Sequence, residues 1–221
     1  GGWIEGSRNL SHEGSCFIHG EAKVFGEACV YGNAKVGKNA TIHGRAHVFG
    51  NALVSDNADA DNWSRVYGNV IVGDSAKICD SACVYGSAYV QGCTVISGYA
   101  NITDYACVKA NARIGGYAFL GDRVSVGGFV EVNDGLVLRG NTTFDGDDYI
   151  CKAGDFMYIE GLGYPVTIQK NGLATIGCTT KSIEEWLTTH HPGDTLKEVY
   201  DALVENLGPI FERWLAKWKR V

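Results

Sequence analysis

An all-β solenoid is predicted for most of this chain, and three observations predict it. Twenty-two consecutive six-residue units run from Ser15 to Gly146 with no residue inserted among them. Position 2 of the unit is Ala in 14 of the 22, and position 4 is Val, Ile or Leu in 20, failing only at Ala60 and Phe144. Position 6 is usually Gly, Asp or Asn, residues that adopt positive φ at low cost. A fixed internal period of this kind is the mark of a repeat architecture.

Each element follows from that unit. Positions 2 and 4 lie two residues apart, so in a strand they share a side. Position 6 then makes a corner. A helix is excluded, because its apolar stripe recurs every three or four residues rather than every six. Three units close one triangular coil of 18 residues, and 22 units give about seven coils of parallel β-helix. Ladders of Val, Ile and Ala stack through the interior and bury apolar surface without one compact core.

Residues 1–14 are expected as an N-terminal cap, with Trp3, Ile4 and Leu10 closing the open end; Phe144 is expected to do so at the other end. Residues 15–146 form the repeat domain and 147–221 a small α+β region. In that last region, 165–169 and 173–177 flank Lys170, Asn171 and Gly172, a hairpin signal. Ser182 with Glu185, and Thr195 with Glu198, are capping boxes that open helices. One helix gathers Leu196, Val199, Tyr200, Leu203, Val204 and Leu207 on a face and stops at Gly208 and Pro209; a last one carries Phe211, Trp214, Leu215 and Trp218. Docking on the coils, or on the region's own helices, accounts for that apolar face.

The Ala-x-Val repeats, the opening Gly1-Gly-Trp-Ile-Glu5, the stretch Asn9-Leu-Ser-His-Glu13, and Ile176-Gly-Cys-Thr-Thr180 followed by Ser182-Ile-Glu-Glu-Trp186 resemble the YdcK-like hexapeptide-repeat proteins of bacteria and their phages. The resemblance spans nearly the whole chain. It implies a left-handed coil, whereas general crossover rules would favour the right hand. It implies a homotrimer and a phage or prophage origin. Relatives carry a segment ahead of the Gly-Gly-Trp stretch, so a truncation or proteolytic fragment is expected.

Composition narrows the function. Net charge is −6, divided evenly: 14 acids and 11 bases over residues 1–146, and 11 and 8 over 147–221. No basic block exists to neutralise phosphates, so duplex nucleic acid is not expected as a partner. No apolar run reaches the length of a membrane span, and no membrane partner is expected. The eight cysteines include no CxxC pair and are read as reduced fillers, Cys16 among them, in a cytoplasmic protein.

Positions 3 and 5 point outward, and taking every third unit sorts them onto three faces. One carries Tyr31, Phe49, Tyr67 and Tyr85 in a column, with Cys29, His47, Arg65 and Cys83 alongside. This aromatic face is expected to pack in an oligomer or lie under the C-terminal helices, with ligand stacking as the alternative. A second, aliphatic face presents Leu53, Ile71 and Tyr89 as a candidate opposing wall. The third carries Lys23, Asp59, Lys77, Arg113 and Glu131 and is expected to be solvated.

Hexapeptide acyltransferases use a histidine base near a subunit interface and an inserted loop that closes the site. His43 and His47 are the candidates here, but no loop interrupts the units. Neither has an orienting carboxylate close in sequence, although Asp56, Asp59 and Asp61 could approach from the next coil. Carbonic anhydrases of the same fold hold zinc on three histidines; this chain lacks a third beside His43 and His47, and no metal site is expected. His190 and His191 read as a loop. Asp145, Asp147 and Asp148 read as a solvated turn.

The expectation is a non-enzymatic, oligomeric β-helix that binds or scaffolds, with no cofactor, acting on a host protein. Two alternatives stand beside it. One is acyl transfer from acyl-CoA with His43 or His47 as base. The other is sequestration of a small nucleotide between subunits by Tyr31, Phe49, Tyr67, Arg65 and His47.

Overall fold

The computed structural model describes residues 1–133, 135–144, 150–151, 156–159, 166–169, 173–176, 179–182 and 185. It contains two compact units, one of residues 1–138 and 143–153, the other of residues 139–142 and 154–221. The first is a parallel β-solenoid of triangular coils. From Phe17 its strands recur every six residues to Thr143, with no register shift along that run. Each strand pairs in parallel with the strand 18 residues on, as His47 pairs with Arg65 and Val48 with Val66. The backbone ladder runs the length of the stack; the Cys29 amide donates to the Ala46 carbonyl at 3.0 Å, and the His47 amide to the Ser64 carbonyl at 2.9 Å.

The coil count is about eight, not seven. The charged-face sheet has nine strands and the other two have eight each. The difference comes from both ends: the N-terminal segment adds a strand to each of two sheets, and Ile150–Cys151 pairs with Glu131–Val132 as the ninth strand of the charged face. Trp3–Ile4 pairs in parallel with Lys23–Val24, and Leu10–Gly14 with Cys29–Gly32. Residues expected only to cap the stack therefore supply a rung of their own. Ile4 falls in register with inward Val24, but Trp3 lies beside outward Lys23 and is 53% exposed, so Trp3 does not plug the end. Asn9 is fully buried instead. Its side-chain amide donates to the carbonyls of Gly26 at 3.1 Å and Ala28 at 2.8 Å, while its Oδ1 accepts from the Gly6 amide. One side chain thereby satisfies three backbone groups where the strand ladder is interrupted.

The inward assignment holds in both columns. Ala22 through Ala118 at position 2, and Val24 through Leu138 at position 4, are essentially inaccessible to solvent. Phe144 is buried in register with Val126. The corners hold as well. Position 6 has positive φ at Gly and non-Gly residues alike, including Lys38, Asp56, Asn62, Asp80, Ala110 and Asp122. Gly44 shows why glycine recurs there: its φ is +66°, and an added Cβ would lie 2.7 Å from the Asn62 amide nitrogen of the coil above.

Ser64 and Thr94 break the apolar column. Both are fully buried at position 2, and neither hydroxyl has a hydrogen-bond partner. Burying an unpaired hydroxyl costs about 1–3 kcal/mol. Ser64→Ala and Thr94→Val are therefore expected to stabilise the coil, by roughly 1 kcal/mol each, read as higher thermal or denaturant midpoints. Unchanged or lower midpoints in both variants would mean that these hydroxyls have partners.

In the second unit, Phe156–Ile159, Val166–Gln169, Leu173–Ile176 and Thr179–Ser182 form an antiparallel sheet in chain order. The expected hairpin is the central pair, with Val166 opposite Ile176. The outer two strands were not legible in the sequence. The capping exchange at Ser182 is formed: the Glu185 amide donates to Ser182 Oγ at 3.0 Å, and the Ser182 amide donates to Glu185 Oε2 at 2.9 Å. The helices expected over 195–218, His190, His191, and Asp145, Asp147 and Asp148 lie outside the described residues. Among the described residues no helix is long and apolar enough to cross a membrane.

Candidate functional site

The 18-residue coil turns sequence spacing into vertical neighbours, and on the aromatic face it does what the spacing predicts. Tyr31 stacks on Phe49 with ring centroids 4.7 Å apart, Phe49 on Tyr67 at 4.7 Å, and Tyr67 on Tyr85 at 5.2 Å, all within 5° of parallel. The rings cover one another, so each is half-buried rather than fully exposed. Burial raises the phenol pKa of Tyr31 and Tyr67 above its ordinary value, and Arg65 opposes the shift in both.

Arg65 lies in register between His47 and Cys83. Burial likewise raises the Cys83 thiol, again against Arg65. His47 meets Tyr31 edge-on at 6.1 Å and borders a shallow groove with Arg8, Leu10, His12, Cys29 and Tyr31.

Two corner columns border the aromatic face. On one side Arg45 bonds Glu27 at 2.6 Å and lies 4.3 Å over the Trp63 ring. On the other, Asn33 donates to Asn51 at 3.1 Å and Asn51 to Asn69 at 2.9 Å, a side-chain ladder parallel to the backbone one. Beyond it the aliphatic face has a shallow groove lined by Lys35, Leu53, Ile71 and the asparagines. Leu53, Ile71 and Tyr89 are in register there.

His43 and His47 do not converge. They stand on different sheets, His47 within His47–Gly50 on the aromatic face and His43 just after Thr41–Ile42 on the charged face. A site using both from one chain is not formed.

The charged face departs from the solvated surface expected of it. His43 stacks on Phe25 at 5.1 Å and 8°, which fixes the ring. Its Nε2 lies 3.1 Å from Asp59 Oδ1 and 3.9 Å from Asp61 Oδ2. Lys77 reaches the same carboxylates from the next coil, 3.3 Å from Asp61 Oδ2 and 3.4 Å from Asp59 Oδ2. Burial works to lower the Lys77 pKa, but Asp61 and Asp59 outweigh it and the net shift is upward. Cys79 completes the column; burial first, then Asp80 and Asp61, push its thiol up to about 11. At neutral pH it is a protonated, poor nucleophile.

His43 therefore does have a carboxylate neighbour, which the sequence offered only as a possibility from the next coil. Of the three aspartates considered, Asp59 and Asp61 approach it, while Asp56 is paired with Lys38 at another corner. The available signal was the 18-residue step: 41, 59, 77 and 43, 61, 79 form two adjacent outward columns. No family model matches the chain, and no curated protein matches it in sequence.

Proposed function

We propose that this protein is a non-enzymatic binding or scaffold protein that self-associates through its aromatic face. The observation that carries the reading is the column Tyr31, Phe49, Tyr67 and Tyr85. It is a flat, rigid, largely apolar strip one ring wide and four coils tall. Such a strip gains from covering its outer edges. A homotrimer places one strip at each subunit boundary. The wider reading, taken from the resemblance to YdcK-like hexapeptide-repeat proteins, is a left-handed coil in a cytoplasmic phage or prophage factor that acts on a host component.

Acyl transfer is a second reading, favoured by one observation. His43 has Asp59 at 3.1 Å, the kind of neighbour that orients a general base. Against it, the strands recur every six residues with no loop among them to shelter a thioester. Sequestration of a small nucleotide would use the same aromatic strip with Arg65 and His47.

Native mass spectrometry of protein purified from its own host lysate tests these together. A three-chain mass without small ligand is expected. A single-chain mass overturns self-association, and a retained nucleotide moves the assignment to sequestration. Acetyl-CoA turnover on an amine and hydroxyl panel that disappears in a His43→Ala, His47→Ala double variant moves it to acyl transfer; no turnover and no calorimetric acetyl-CoA binding are expected.

A further inference from the structure

We propose that His43, Asp59 and Asp61 form a binding site for a divalent transition-metal cation of the zinc class. The donor set comes first. One imidazole nitrogen and two carboxylates present atoms that all lie within 4.8 Å of one another. Zinc bonds to nitrogen and oxygen at about 2.0–2.2 Å, so two ligands of a tetrahedral ion lie roughly 3.3 Å apart. The distances from His43 Nε2, 3.1 Å to Asp59 and 3.9 Å to Asp61, bracket that spacing.

A second observation is independent of the clustering. Asp61 is only 9% exposed, and its Oδ1 is buried with no hydrogen-bond donor. Asp59 Oδ1 is buried and undonated too, because its approach to His43 lacks the alignment of a hydrogen bond. Carboxylate oxygens out of water and without donors are costly unless a cation meets them. Lys77 meets Oδ2 of each aspartate, for Asp61 the same oxygen that lies 3.9 Å from His43, and leaves both Oδ1 atoms unmet. Two carboxylates and one ammonium leave the cluster with one uncompensated negative charge.

The remaining features suit a metal. Phe25 holds the imidazole plane. His43 and Asp59 side chains are about 30% exposed, which gives an ion a path in and leaves a fourth position to water. Zinc is favoured over calcium or magnesium because an imidazole nitrogen replaces one of the oxygens those ions require. A metal on Nε2 would also occupy the lone pair that acyl transfer needs, so this site and a His43 base exclude one another.

The test uses the full chain, stripped with chelator and titrated with zinc chloride alone by calorimetry, and with cobalt chloride by visible absorption. One site is expected whose affinity falls about 100-fold or more in His43→Ala and in Asp61→Asn, with loss of the cobalt d–d bands. Lys77→Gln should bind zinc several-fold more tightly, since a competing positive charge is removed. A purely structural lysine would not produce that gain. Circular dichroism of each variant checks the coil, and Lys77→Gln keeps the test alive where another variant fails to fold. Equal zinc affinity in wild type and both ligand variants overturns the proposal and moves binding to the cysteines or other histidines. An NMR titration showing His43 as an imidazolium unaffected by zinc overturns it as well.

Discussion

Replacing Ala46 by Glu collapses the solenoid at its third coil. Ala46 is fully buried at position 2, between Ala28 below and Ser64 above, with Val48 beside it. The ladder leaves no room for a longer side chain, and the facing columns are Ala and Val. A glutamate there meets no cation and no water. It must be buried charged, be protonated, or pull the strand apart. Large destabilisation of this kind, about 4 kcal/mol or more, belongs to unpaired charges in a core. A solenoid spreads such a defect only to neighbouring coils, so the melt should become broader and begin earlier. Ala46→Ser is the control. The next rung already carries a buried serine, Ser64, and that variant should lose only about 1–2 kcal/mol. The readout is thermal melting by circular dichroism. A glutamate variant that melts with the wild type would show that position 2 does not face inward.

Those inward columns were the most legible part of the chain, for a physical reason. A six-residue period repeated 22 times fixes the register, because each strand pairs with the strand 18 residues away. The same arithmetic places Tyr31, Phe49, Tyr67 and Tyr85 in a stack. Residues 1–14 were less legible. They lack the repeat, and their rung depends on Asn9 replacing backbone hydrogen bonds with a side-chain amide, which no periodicity announces.

The charged cluster was missed because charges on an outward face ordinarily mean solvent. Its chemistry lies in what two columns do side by side. Position 3 brings Asp59 and Lys77, and position 5 brings His43, Asp61 and Cys79. Reading each column alone gives a mixed-sign surface. Reading them together gives a half-buried pair of carboxylates facing an imidazole. In the second unit, only the hairpin around Asn171 and Gly172 carried a turn signal; Phe156–Ile159 and Thr179–Ser182 join that sheet through pairing partners that local sequence does not specify.

Converting Tyr31, Tyr67 and Tyr85 together to Lys is expected to leave the coil folded and the assembly dissociated. These side chains point outward, so the buried ladders of Val and Ala are untouched. What is lost is the stacked strip and any area it buries against a second copy. Truncating an aromatic at an interface costs about 2 kcal/mol or more, so three such losses at each subunit boundary reach roughly 6 kcal/mol, most of the roughly 8 kcal/mol that holds a micromolar interface. The new charges add repulsion, because Tyr67 and Tyr85 occupy successive coils with rings 5.2 Å apart. That repulsion acts within a subunit too, so a neutral Tyr31→Gln, Tyr67→Gln, Tyr85→Gln variant separates the two effects. Both variants should keep the wild-type circular dichroism and sediment as single chains. Tyr89→Lys on the aliphatic face serves as the surface control and should retain the wild-type mass. An unchanged sedimentation mass in the folded Lys and Gln variants removes the aromatic face from any interface. The column would then be a ladder that only stiffens its own coil, as the Asn33, Asn51 and Asn69 ladder does at the neighbouring corner.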